Sequence, residues 1–109
     1  MDNITIKSPF SPTLIFLSIS NGILSPRFSP HCYFYSAADV EYDVTHVIIT
    51  PIAKDPCAVI DVDGFNIWSG QTAKCNLVEG LNIINVQVTS GDTKQTYVIH
   101  IERKPESDQ

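Results

Sequence analysis

The last third of this sequence constrains its fold most. Ile84, Val86 and Val88 alternate with Asn85, Gln87 and Thr89. After Ser90-Gly91-Asp92 the alternation resumes, with Tyr97, Ile99 and Ile101 set against Val98, His100 and Glu102. A period of two sends successive side chains to opposite faces of a strand. Two such runs around a glycine-containing turn read as a long hairpin with one buried face. A buried face of that length needs a second layer to cover it, so the rest of the chain must supply one.

Earlier segments supply it. Leu14 to Ile19 reads as a strand closed by Asn21-Gly22, and Tyr33 to Ala37 as the next. Between them, Ser25-Pro26 and Ser29-Pro30 hold the backbone extended, because the residue before proline avoids the helical region. His46 to Ile52 is rich in β-branched residues. Ala58 to Val62 meets Phe65 to Trp68 across Asp63-Gly64, a strong two-residue hairpin signal. Ser69-Gly70 turns the chain, Ala73 to Leu77 is a short strand, and Glu79-Gly80 leads into the final hairpin. No window holds helical periodicity without a Pro or Gly interrupting it. The expected fold is all-β: an immunoglobulin-like antiparallel β-sandwich of seven to eight short strands.

Residues 1–12 are expected to be a flexible lead-in, 13–104 the sandwich and 105–109 a polar tail. A chain of 109 residues with 43% hydrophobic content can bury a core of its own. The net charge of −5 argues against a nucleic-acid partner, which needs clustered Lys and Arg, and against charge-driven binding to an acidic membrane. The longest early apolar run, Leu14-Ile15-Phe16-Leu17, falls far short of the roughly 20 residues of a membrane span. Asp2, Pro9 and Pro12 do not fit a signal peptide, so any secretion signal is expected upstream, in a larger protein.

Cys32, Cys57 and Cys75 are an odd count, and no pair has zinc-knuckle spacing. They read either as three thiols or as one Cys57–Cys75 disulfide and a leftover, since the meander between those two could bring its ends together. Asn3-Ile4-Thr5 is a glycosylation sequon. Asp61-Val62-Asp63 clusters carboxylates as a calcium site would, but an EF-hand needs a closing Glu where Thr72 stands. The expectation is therefore no metal and no cofactor, with Asp63 making a turn. No catalytic role is expected for His31, His46 or His100: no nucleophile elbow is present, and alternation puts His46 and His100 on outer faces. In Tyr33-Phe34-Tyr35 alternation sends Phe34 opposite its neighbours. Phe34 and Trp68 are thus candidates for a contact patch, against either a neighbouring domain or a glycan.

The ordered set of segments resembles the cadherin-like β-sandwich domain family, over nearly the whole body. Leu17-Ser18-Ile19-Ser20-Asn21-Gly22-Ile23-Leu24-Ser25-Pro26 is similar to the family's opening, and Phe28-Ser29-Pro30 precedes Tyr35 at its spacing. Val47-Ile48-Ile49-Thr50-Pro51, Val62-Asp63-Gly64 and Ser69-Gly70 resemble its middle. Gly80 to Val86 and Tyr97 to Arg103 resemble its last two strands. The family carries no catalytic residues in this domain, so the resemblance implies no enzyme. It implies an accessory module of an extracellular or secretory-pathway protein, in the ER or Golgi lumen or outside the cell. The cysteines favour the eukaryotic branch, in which the domain accompanies a PC-esterase domain. The alternative is a glycan- or protein-binding adhesion module of a surface protein. In the resemblance, Arg103 is a surface residue leading into the next domain.

Overall fold

The computed structural model describes residues 10–106. These contain eight strands and no helix: β1 (Leu14–Ile19), β2 (Phe34–Val40), β3 (His46–Ala53), β4 (Val59–Val62), β5 (Phe65–Trp68), β6 (Ala73–Asn76), β7 (Gly80–Ser90) and β8 (Thr93–Arg103). They form a three-stranded sheet, β1-β3-β6, and a five-stranded sheet, β2-β8-β7-β4-β5. Phe10 to Thr13 and the turn between β7 and β8 lie at one end of the sandwich, called the entry end below. The 41–45 segment, the 77–80 turn and the end of β8 lie at the other, the exit end.

The alternation seen in the sequence sets the core. Ile84, Val86 and Val88 of β7 and Tyr97, Ile99 and Ile101 of β8 all point inward and are buried. Leu14, Leu17, Val47 and Ile49 cover them from the smaller sheet. β7 and β8 pair in unbroken antiparallel register from Gly80↔Arg103 to Ser90↔Thr93. In the β4–β5 turn, Asp63 (φ 50°) and Gly64 (φ 91°) both take positive φ, the requirement of the type I′ hairpin that their sequence signals.

The sandwich is not wholly antiparallel. β2 runs parallel to β8, from Phe34↔Val98 to Val40↔Arg103. These two strands are joined only through β3 to β7, whereas the crossover from Ser20 to Tyr33 carries the chain from β1 in the smaller sheet to β2 in the larger. That connection is tied down along its length. Ser25 and Ser36 exchange both backbone hydrogen bonds at 2.8 Å. The Tyr35 hydroxyl donates to the Ser29 carbonyl and accepts from the Ser29 N–H.

Part of the expected lead-in is docked. Ser11 N–H donates to Ser90 Oγ at 2.7 Å, and Ser90 Oγ donates in turn to Asp55 Oδ2. Gly91 is needed at the hairpin tip: a Cβ there would come 2.5 Å from the Phe10 ring.

Candidate functional site

Two cross-sheet anchors organise the polar chemistry of the interior. The Tyr97 hydroxyl, fully buried, accepts from Leu14 N–H at 2.9 Å and donates to the Pro30 carbonyl at 2.6 Å. It thereby fastens β8 to both β1 and the crossover. Burial raises its pKa, and burial also pushes that of Tyr35 up to about 12. Both rings stay neutral and both hydroxyls serve as hydrogen-bond joints.

The second anchor corrects the reading of Arg103 as a surface residue. It continues the inward set Tyr97, Ile99, Ile101, and only 9% of it is exposed. Its Nε and Nη2 donate to the Tyr42 carbonyl at 2.9 and 2.6 Å, and Nη1 donates to the Leu77 carbonyl at 3.0 Å. The guanidinium lies 4.7 Å from the Tyr42 ring centroid. The charge is spent on the protein's own backbone, closing the exit end.

The carboxylates singled out in the sequence are also engaged. Asp61 Oδ1 accepts from Gly64 N–H at 2.6 Å, and Asp63 Oδ1 accepts from Asn85 N–H at 2.8 Å. They shape the β4–β5 hairpin and bind it to β7. Hydrogen bonds from the Ser90 hydroxyl and Cys57 N–H hold Asp55 below its usual carboxylate pKa. Among the described residues, no three His, Cys, Asp or Glu side chains converge as a metal site would require.

The histidines lie apart. His46 opens β3 and is exposed, while His31 sits in the crossover with Nδ1 3.4 Å from the Tyr33 hydroxyl. His100 is on the outer face of the larger sheet, edge-on to Phe34 with centroids 4.6 Å apart.

All three cysteines are free thiols. This is the first of the two readings of the cysteines; the alternative Cys57–Cys75 pairing is not made, and the topology explains why. Cys75 pairs with Val47, whereas Cys57 lies beyond Ala53, the last residue of β3. Six residue steps along the strand separate Val47 from Ala53, about 20 Å, and a disulfide needs Cα atoms within roughly 7 Å. Burial pushes the Cys75 thiol up to about 11, whereas Cys57 is exposed. A thiol reagent applied to native protein without reductant should therefore label Cys57 first and Cys75 last, reaching three thiols after denaturation. A single thiol in denatured, unreduced protein would contradict this arrangement.

The proposed contact residues are both exposed, Phe34 by 52% and Trp68 by 57%. They do not form one patch. Phe34 is on β2 and Trp68 on β5, the two opposite edges of the larger sheet. Four strand spacings of about 4.8 Å each separate them. Phe34 instead neighbours Val98 and His100, and His100 pairs with Ile83, which is itself exposed. Trp68 stands beside Val59. Between these two areas the outer face carries Asn66, Asp61, Gln87 and Thr96 in one row across four strands. Ile15 and Phe16 are further exposed apolar residues, at an irregularity in β1. Sequence reasoning did not single out Ile83, which lies inside the Gly80-to-Val86 run. The sequon at Asn3 lies outside the described residues.

The comparisons agree with this architecture. A protein of Evansella cellulosilytica named "Putative membrane protein" is 32% identical over 90 residues, which make up 81% of this chain and 13% of that protein. The chain thus spans a small part of the length of the curated relative it matches. That relative is bacterial and lends no support to the eukaryotic assignment drawn from the cysteines. Among the described residues, no helix is long and apolar enough to cross a membrane. The profile of the family described as "Cadherin-like beta sandwich domain" matches residues 2–104, and the chain belongs to that family.

Proposed function

We propose that this chain is a non-catalytic accessory module of a larger protein, extracellular or in the secretory pathway, that positions or supports neighbouring domains. The observation that carries the reading is where its polar side chains are used. Tyr35, Tyr97, Arg103, Asp61, Asp63 and Asn82 all hold backbone, leaving no cluster of reactive groups among the described residues. The small share of the Evansella relative that it matches fits a module within a longer chain. In this reading a neighbour could be an enzyme of the PC-esterase kind, a link that rests on the family resemblance alone.

A second reading, a glycan- or protein-binding adhesion module, draws on Trp68, the sole tryptophan, standing exposed beside the polar row of Asn66 and Asp61. The two readings separate on the isolated chain. As an accessory module it should release no acetate from acetylated sugars. Its tryptophan emission should be of the exposed type and should not move on titration with oligosaccharides. Saturable glycan binding that is lost in Trp68→Ala would replace the first reading with the second, and ester hydrolysis by the purified chain would overturn both.

A further inference from the structure

We infer that the domain is built to bear tension between its two ends, with the strands at entry and exit loaded in shear. This goes beyond a spacing role, since a domain that yields easily could still act as a spacer.

The chain enters and leaves the sandwich at opposite ends. Thr13 accepts from Lys54 N–H, and Ser11 donates to Ser90, so the entry lies by the β7–β8 turn. At the other end Lys104 N–H donates to the Val40 carbonyl, and Glu106 N–H to Glu79. The eleven residues of β8 span most of the distance between them, about 36 Å.

Pulling the ends apart draws β1 along its own axis past β3, to which it is paired from Leu14↔Ala53 to Ile19↔Ile49. It draws β8 the opposite way, past β7 on one side and β2 on the other. Strands that slide lengthwise must stretch many ladder bonds together, because those bonds lie across the direction of pull. Strands peeled from one end lose them in turn.

Two further features strengthen the load path. β2 is parallel to β8, so if β1 gives way, tension on the crossover pulls β2 and β8 directly against each other in shear. The crossover between β1 and β2 also offers little slack. It is pinned at Ser25 to Ser36, at Ser29 to the Tyr35 hydroxyl and at Pro30 to the Tyr97 hydroxyl. That same Tyr97 hydroxyl holds Leu14, the first residue of β1. Arg103 fixes the exit of β8 to the carbonyls of Tyr42 and Leu77. By contrast, the β4–β5 hairpin lies outside the load path, at one edge of the larger sheet.

Forced unfolding reads the unfolding barrier along the pulling direction rather than the equilibrium stability, so direction is the discriminating variable. The chain would be pulled in a force spectrometer in two ways, with Cys32 and Cys75 replaced by Ala in both. In one, marker domains are fused to its two ends. In the other, handles are attached through Cys57 and a cysteine placed by Trp68→Cys, a pair that opens the β4–β5 hairpin from one end. The expected result is a rupture force several-fold higher end to end. An end-to-end force equal to or below the hairpin force would overturn the inference.

If the cysteine-depleted background does not fold, the native chain pulled end to end gives an independent answer. Ile67→Ala, in the hairpin, should lower the denaturation midpoint and leave the end-to-end rupture force nearly unchanged. Tyr97→Phe should lower the rupture force clearly. The reverse ranking of these two variants would sink the proposal.

Discussion

Val86→Asp should leave this chain without a cooperative unfolding transition. Val86 lies in the middle of β7, is fully buried, and is paired with Tyr97 on one side and Val62 on the other. Both partners are buried as well. A carboxylate there faces the gap between two apolar sheets. The nearest buried cation, Arg103, is at the far end of β8 and already committed to Tyr42 and Leu77. Desolvating an unpaired carboxylate costs several kcal/mol, and the lost burial of valine adds about 2 kcal/mol. Domains of this size are stable by only about 5–15 kcal/mol. The control is the adjacent residue: Gln87→Lys puts a charge on the outer face, directly opposite Asp61, and should shift the midpoint of denaturation only slightly. Proton NMR of the two variants checks the claim. Well-dispersed amide signals from Val86→Asp would mean that the core tolerates what its packing forbids.

That contrast between adjacent residues was legible in the sequence, because it depends only on the period of two. So were the Asp63-Gly64 turn, the positions of the eight strands to within a few residues, and the membership of the core in β7 and β8. What was not legible depends on partners far apart in the chain. The parallel pairing of β2 with β8 joins residues more than sixty positions apart, and no local pattern encodes it. The same is true of the Tyr97 hydroxyl, which reaches back to Pro30 and Leu14. The choice between three thiols and a Cys57–Cys75 disulfide stayed open for a related reason: a meander between two cysteines says nothing about which ends of the strands they occupy. Phe34 and Trp68 were offered together as a contact patch, but strand order decided that they stand on opposite edges.

Arg103 is the instructive case, because its burial could have been read and was not. It shares the parity of Tyr97, Ile99 and Ile101, so the alternation itself sends it inward. The family resemblance, which made it a surface residue leading into the next domain, pointed to solvent instead. The physical resolution is that an inward arginine is stable only where carbonyls meet it, and the loops of the exit end bring two. Arg103→Met keeps most of the apolar stem and removes the fork. The carbonyls of Tyr42 and Leu77 then lose their charged donor, and the contact with the Tyr42 ring goes too. A hydrogen bond to a charged group contributes about 1.5–3 kcal/mol net, and because two of the three share the Tyr42 carbonyl they do not simply add. The expected loss is about 3 kcal/mol, read as a lower midpoint in urea with an unchanged slope. Arg103→Lys should recover only part of it, because an ammonium cannot bridge both carbonyls in the planar geometry of the guanidinium. If Arg103→Lys were as stable as the native chain, charge alone would be holding the exit end. If Arg103→Met were as stable, the buried fork would contribute nothing to the fold. Either result would remove the anchor assigned here to the last strand.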